Sequence, residues 1–291
     1  MKKGLLIKNT FMNTAKFDEL NQMFADAAME NGCILDIKTG AEVWVNLADN
    51  DYMKSDDYDF VIFWDKDIKL AEELDAEGYL VMNRAEAIAD CDDKARTYLK
   101  LKRHNISQPL TICSPLKYFP DGIIDEGYID KACELTGFPM IIKECFGSFG
   151  QQVYLVHSRE EMTETILNIG DKPYIIQKFI EGAAGHDKRL QVVGGQVVAS
   201  MARENKNDFR ANISNGGNMS PYTPDEEEAK LAIKVCDILG LDFAGVDILR
   251  DSDGSLYVCE VNSNAHFKNL YDCTGVNVAK EIINYAVSHN L

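Results

Sequence analysis

A chain of 291 residues, 46% hydrophobic and 26% charged, has the composition of an ordinary globular protein and is long enough for two or three compact units. Its 47 acidic against 30 basic residues, a net charge of −17, argue against nucleic acid as a partner, because phosphate-backbone binding needs clustered Lys and Arg to displace counterions. The Leu5-Leu6-Ile7 run is too short for a signal sequence, nothing later approaches a membrane span, and the eight cysteines lack Cys-x-x-Cys or Cys/His spacing. The expectation is a cytoplasmic protein with reduced thiols and no membrane partner.

Up to about residue 90, short apolar strands alternate with amphipathic helices, the pattern of a parallel α/β sheet. Strands are predicted at 4–8, 34–38, 60–64 and 79–82, and helices at 14–30 and 69–77. In the first helix Phe17, Leu20, Phe24 and Ala28 recur near the 3.6-residue period. No Gly-x-Gly-x-x-Gly follows the first strand, so this Rossmann-like half is expected to scaffold or hold substrate rather than grip a dinucleotide.

A helix over 92–103 then runs into Gln108-Pro109-Leu110-Thr111, where proline stops the helix and starts extended chain. The boundaries read as a first domain over 1–90, a small α+β lid over 91–182 with strands at 140–143, 153–156 and 174–178, and a C-terminal subdomain over 183–291. The last part opens with a hairpin of 189–193 and 196–203 around Gly194-Gly195. A helix over 224–239 follows, with Asp225 to Glu228 in its acidic first turn. A second hairpin, 243–250 and 256–261, turns at Asp251-Ser252-Asp253-Gly254, and a helix over 277–288 closes the chain.

Chemistry concentrates in four places. Asp247, Glu260 and Asn262 offer anionic and amide oxygens at the ends of adjacent strands, the donor set a hard divalent cation such as Mg²⁺ takes when it also binds phosphates. Lys143 ends an apolar strand before Gly147-Ser148-Phe149-Gly150, whose glycines let backbone N–H groups approach a polyphosphate while the lysine supplies a mobile charge. Gln177-Lys178-Phe179 ends a strand at a candidate hinge, where exposed backbone groups can read an adenine edge. Asp187, Arg189, Arg203, Arg210 and Asn212 sit in one apolar-rich region, and their guanidinium groups need either internal carboxylates or an anionic ligand.

Lys94, Lys143 with the 147–150 loop, Asp187-Lys188-Arg189, Arg203, Asp208-Phe209-Arg210-Ala211-Asn212, Gly216-Gly217, Ala244-Gly245-Val246-Asp247 and Glu260-Val261-Asn262 resemble, in order, the motifs of the ATP-grasp superfamily, and most nearly the RimK-like α-L-glutamate ligases. The resemblance covers residue 83 onward. It implies an ATP-grasp fold, α/β with an α+β lid, behind an N-terminal Rossmann-like domain. It implies a carboxylate–amine ligase that works through an acylphosphate, adding an amino acid such as glutamate to a small molecule, peptide or protein tail. Lys94, Lys143, Gly147 and Ser148 would hold the phosphates, while Gln177, Lys178, Phe179, Asp187 and Arg189 line the adenine and ribose side. Asp247, Glu260 and Asn262 would hold one or two Mg²⁺ ions, with Mn²⁺ as the substitute. Arg203, Arg210 and Asn212 would orient the carboxylate and stabilise its tetrahedral intermediate.

Three departures mark this chain: Lys178 where relatives carry Glu, Gln151-Gln152 after the phosphate loop, and Ser263-Asn264-Ala265-His266-Phe267-Lys268 in place of Asn-x-x-Pro-Gly. The last segment should border the acceptor, with Asn264, His266 and Lys268 as candidate contacts. Relatives often associate, so a homo-oligomer is compatible with the resemblance. A nucleotide sensor without turnover, or a ligase for a D-amino acid, glutathione-type or amino-group-carrier substrate, are the alternative readings.

Overall fold

The computed structural model describes residues 1–12, 14–45, 58–120, 122–148 and 150–289; Phe149 of the predicted glycine loop lies outside them. β1 (Lys3–Lys8), β2 (Ile34–Thr39), β3 (Phe60–Trp64) and β4 (Val81–Met82) form a parallel sheet in the order β2-β1-β3-β4. The strand period of two sends Leu6, Phe60, Ile62 and Trp64 to one face and Leu5, Ile7, Val61 and Phe63 to the other. α1 (Ala15–Glu30) covers the first face with Leu20, Phe24, Ala27 and Ala28, and α2 (Ile68–Ala76) covers the second with Leu70, Ala71 and Leu74. Ligands in such sheets gather beyond the carboxyl ends of the strands, here Lys8-Asn9 after β1 and Asp65-Lys66 after β3.

The helix predicted over 92–103 is α4 (Lys94–Arg103), and a further helix that was not predicted, α3 (Ala85–Asp92), precedes it. Asp93 breaks them: its carboxylate accepts from the N–H groups of Ala95 and Arg96 and so caps α4. β5 (Thr111–Cys113), β6 (Met140–Glu144), β7 (Val153–Val156) and β8 (Tyr174–Lys178) make an antiparallel lid sheet in the order β5-β8-β6-β7. α5 (Glu126–Thr136) and α6 (Arg159–Ile169) share one core with it.

β9 (His186–Val193), β10 (Gln196–Glu204), β11 (Asn218–Pro221), β12 (Phe243–Arg250) and β13 (Leu256–Asn262) form the third sheet, in the order β11-β10-β9-β12-β13. Gly194 and Gly195 turn the β9–β10 hairpin with φ of 55° and 74°, and a Cβ on Gly194 would sit 2.5 Å from the Tyr285 ring. α7 (Glu226–Leu239) opens on a capping box between Asp225 and Glu228. α8 (Lys268–Thr274) and α9 (Val278–Ser288) close the chain; α8 and β11, like α3, have no counterpart among the predicted elements.

The packing crosses the predicted boundaries. α9 and Phe267 pack with α1 and Trp64, so the first and third sheets share a core, while Cys91, Leu101 and Ile106 pack with α7 under the third sheet rather than with the lid. Asn83, fully buried, donates to the carbonyls of Phe243 and Ser263 at 2.8 Å and accepts from the N–H of Asp242 at 2.7 Å. All its polar capacity is thus spent fixing the segment after β13 against the end of β4.

Candidate active site

The lid and third sheet enclose a cavity of about 110 Å³, reached by Lys94, Lys143, Gly147, Ser148, Gln177, Lys178, Phe179, Asp187, Arg203, Arg210, Asn212, Asp247 and Glu260. Lys143 is 8% exposed on β6, with Nζ 3.8 Å from Cys259 Sγ. Lys94 opens α4 and reaches the carbonyls of Cys145 and Gly147 at 3.4 and 3.5 Å. Burial lowers its pKa; Glu260 opposes that shift and Lys143 adds to it. An anionic ligand would relieve both ammonium groups.

The glycine loop is tied down at two points. Gln152 Oε1 accepts from Ser148 N–H at 3.3 Å, and it occupies the space a Cβ on Gly147 would need. Arg210 donates to the Gly150 carbonyl at 2.7 Å while a fork to Asp208 at 3.0 and 2.7 Å holds its guanidinium. Arg210, expected on a substrate carboxylate, therefore bridges lid and third sheet. Gln177 is likewise spent, donating to Thr111 Oγ1 at 2.8 Å.

Beneath the loop runs a buried cross-strand ladder. Arg203 lies opposite Asp187, and Asp247 lies opposite both Arg189 and Glu260. Arg203 donates to Asp187 at 2.6 and 2.6 Å and to Asp247 at 2.7 Å; Arg189 takes both Asp247 oxygens at 2.7 Å. Burial pushes the Asp247 carboxyl up, but the two guanidinium groups outweigh it and hold it low. For Asp187, with Arg203 its main partner, burial prevails and the shift is upward. Arg203 is thus committed to carboxylates of the protein, and Asp187 to Arg203 rather than to a ribose.

A register shift after Asp247 leaves Cys259 as an extra residue on β13, which is why Cys259 and Glu260, consecutive in a strand, both face the cavity. Asp247 and Glu260 are directly opposed and Asn262 follows two residues on, so all three share a face. Among the described residues no cluster of three His, Cys, Asp or Glu side chains could hold a metal. The donor set here is two carboxylates and an amide oxygen; both Asp247 oxygens also accept from Arg189 and Arg203, whereas Glu260 accepts no side-chain hydrogen bond among the described residues. All-oxygen donors short of a full shell fit Mg²⁺ that completes its coordination from phosphate and water.

A second cavity, about 310 Å³, lies between the first and third sheets and shares Ser148, Asn212 and Glu260 with the first. Asn262, Asn264, His266 and Arg189 line it from one side, and Lys8, Asn9, Phe17, Trp64 and Asp65 from the other. Lys268 lines neither cavity: its ammonium is paired with Asp272 on its own helix and with Glu19 at 3.5 Å, because α8 turns it toward α1. Lys8, Phe17, Trp64 and Asp65 were missed by the sequence reading, although strand ends in a parallel sheet mark just such a crevice.

A lid sheet folded over a second sheet, with lysines and a glycine loop above and two carboxylates and an amide below, defines an ATP-dependent ligase of the ATP-grasp class. Residues 91–286 match the RimK-like ATP-grasp domain family. Human beta-citrylglutamate synthase B is 34% identical over 226 residues, 77% of this chain and 57% of that protein. A probable alpha-L-glutamate ligase of Maridesulfovibrio salexigens is 32% identical over 219 residues, 74% of this chain and 70% of that protein. The RimK domain ATP-grasp protein of Sphaerobacter thermophilus superposes with a TM-score of 0.73 at 21% identity, covering 98% of this chain and 99% of the other, a likeness of fold. The chain belongs to the RimK-like ATP-grasp family. Among the described residues no helix is long and apolar enough to cross a membrane.

Proposed function

We propose that this protein joins a carboxylic acid to the amino group of glutamate, with ATP converted to ADP and phosphate. The observation that carries the reading is the wall of Ser148, Asn212 and Glu260 common to the two cavities, which lets a carboxylate in the larger one meet a γ-phosphoryl group in the smaller. The amine partner rests on the two relatives, whose names share glutamate.

Lys94 and Lys143, with the N–H groups of the glycine loop, hold the phosphates; Ser148 N–H becomes available when Gln152 swings aside. The Lys178–Phe179 hinge faces the adenine. Asp247, Glu260 and Asn262 would hold Mg²⁺, with Mn²⁺ as its substitute, and a cation there would supply neutralising charge for the transferring phosphoryl group. An acid oxygen attacks phosphorus and the bond to the ADP oxygen breaks, leaving an acylphosphate. The amine then attacks the acyl carbon, phosphate departs and the amine loses a proton. Asn212, which lines both cavities, would donate to the anionic oxygen of the tetrahedral intermediate. Arg189 and Arg203 act one step back, by orienting Asp247.

Purified protein given ATP, Mg²⁺, glutamate and a panel of acids should form one product whose mass is acid plus glutamate less water, with one ADP per product. ATP binding without acid-dependent ADP across the panel would reject the proposal in favour of a nucleotide sensor.

A further inference from the structure

β12 and β13 pair with one residue too many on β13. Asp247 faces Glu260 and Ile248 faces Val258, so Cys259 has no counterpart on β12. A bulged residue leaves backbone groups outside the ladder, and inside a protein those groups need another partner. The Cys259 carbonyl finds one beyond the sheet, where the Tyr98 hydroxyl donates to it at 2.5 Å. One residue earlier the Val258 N–H donates to the Ser107 carbonyl at 3.0 Å. α4 and the segment after it therefore close the outer edge of β13, the last strand of the third sheet. Tyr98 is 4% exposed; burial, against the charge of Lys143, pushes its hydroxyl up to about 12 and so keeps it a donor.

The register that the bulge sets decides what β13 offers the cavity. Pairing straight on from Ile248 and Val258 would put Cys259 opposite Asp247, and the strand period of two would turn Glu260 and Asn262 to the far face. Arg189 and Arg203 cannot prevent this, since they donate to Asp247 and not to Glu260. Tyr98 is held in turn from the lid: its ring packs with Cys145 and Ile175. Lys94 lies four residues earlier, on the same face of α4, where its backbone N–H donates to the Cys145 carbonyl at 3.1 Å and its ammonium reaches the Gly147 carbonyl at 3.5 Å. One helix face thus carries both the lysine of the glycine loop and the hydroxyl that meets the bulge.

We propose that Tyr98 is the positioning residue of the metal site: by holding the Cys259 carbonyl it keeps the bulge in register, and with it Glu260 and Asn262 on the face of Asp247. The inference rests on the reading of Asp247, Glu260 and Asn262 as metal ligands. Tyr98 itself touches neither the metal nor the nucleotide, and it acts through the backbone of β13.

Tyr98→Phe removes the hydroxyl and keeps the ring. Mn²⁺ binding to the protein–ADP complex, followed by electron paramagnetic resonance, reads the site without turnover. The variant should bind Mn²⁺ at least ten-fold more weakly, equivalent to about 1.4 kcal/mol and within what a lost buried hydrogen bond supplies. Its affinity for ADP without metal, measured by calorimetry, should equal that of wild type, because the ring still supports Lys94. Turnover should fall at limiting Mg²⁺ and recover at saturating Mg²⁺, a rescue that a merely structural loss would not show. A smaller loss of Mn²⁺ affinity, a parallel fall in metal-free ADP affinity, or turnover that stays low at saturating Mg²⁺ would overturn the assignment. Glu260→Gln separates this from the metal reading. If it binds Mn²⁺ as wild type does, the ligand set is wrong and the inference goes with it; if it loses Mn²⁺ while Tyr98→Phe retains it, only the role of Tyr98 falls.

Discussion

Arg203 gives the sharpest test of how the site is built. Its guanidinium, 4% exposed, makes three hydrogen bonds of 2.6, 2.6 and 2.7 Å to Asp187 and Asp247. Arg203→Met preserves the stem but leaves Asp187 buried without its main counter-charge. Removing one partner of such a pair costs about 3–5 kcal/mol, since the residual charge keeps its desolvation penalty. At about 2 °C per kcal/mol for a chain of this size, the melting midpoint should fall by about 6–10 °C. Restoring neutrality with Asp187→Asn in the same chain should recover most of it. The pH dependence has a definite sign: burial raises the Asp187 pKa, the folded state then holds a proton more tightly than the unfolded state, and stability falls as pH rises through the folded value. The Arg203→Met deficit should therefore be smaller at pH 5 than at pH 8. Thermal melts followed by circular dichroism at both pH values decide it. A loss under 1 kcal/mol, or a double variant worse than the single, would refute the reasoning and return Arg203 to the direct catalytic role its sequence context suggested.

Other expectations follow from the same geometry. Glu260 makes no side-chain hydrogen bond among the described residues, so Glu260→Gln should leave the melt within about 1 kcal/mol of wild type and lower Mg²⁺-dependent turnover by about a hundred-fold or more. Gly185 has φ of +71° and a Cβ there would lie 2.3 Å from the Asn205 carbonyl; Gly185→Ala should cost about 2 kcal/mol or more and loosen the loop bearing Arg210 and Asn212, read as a drop in kcat. His266 is pushed down to about 4, chiefly by burial, with the charges of Lys16 and Arg189 adding to it and the Lys16 backbone opposing. A proton-NMR titration of the imidazole should show a midpoint near 4. Because the unfolded state binds the proton from about 6.5 downward, stability should rise with pH between 4 and 6.5, and that slope should be absent in His266→Asn. Lys143→Met should weaken ATP binding while leaving acid binding unchanged, as measured by calorimetry with each ligand.

Much of the fold was legible because its signals are local. Phe60–Trp64, Val153–Val156, Tyr174–Lys178 and Phe243–Arg250 fall where the apolar runs place them, and Gly194-Gly195 turns the hairpin its φ values permit. What escaped was set by tertiary contact. β11, Asn-Met-Ser-Pro, is a strand only because β10 offers its edge, and α4 packs on both sides, with Tyr98 against Cys145 and Ile175 of the lid and Leu101 in the α7 core. The site residues are read differently for a similar reason. The sequence gathers Asp187, Arg189, Arg203 and Asp247 in one region without saying that they satisfy one another, which follows from the register of three strands. Lys268 follows the His266 segment in sequence, yet as the first residue of α8 its ammonium meets Glu19 and Asp272. The larger cavity needed both ends of the chain: Lys8 and Asn264 lie more than two hundred and fifty positions apart and meet only when the first and third sheets share a core.

Oxygen transfer tests the central claim most directly. When the acid is labelled with ¹⁸O in its reacting carboxylate and supplied with ATP, Mg²⁺ and glutamate, mass spectrometry of the released inorganic phosphate should find one ¹⁸O atom per phosphate, carried over from the acylphosphate, with ADP as the other product. Unlabelled phosphate alongside amide product, or AMP and pyrophosphate in place of ADP and phosphate, would contradict the account.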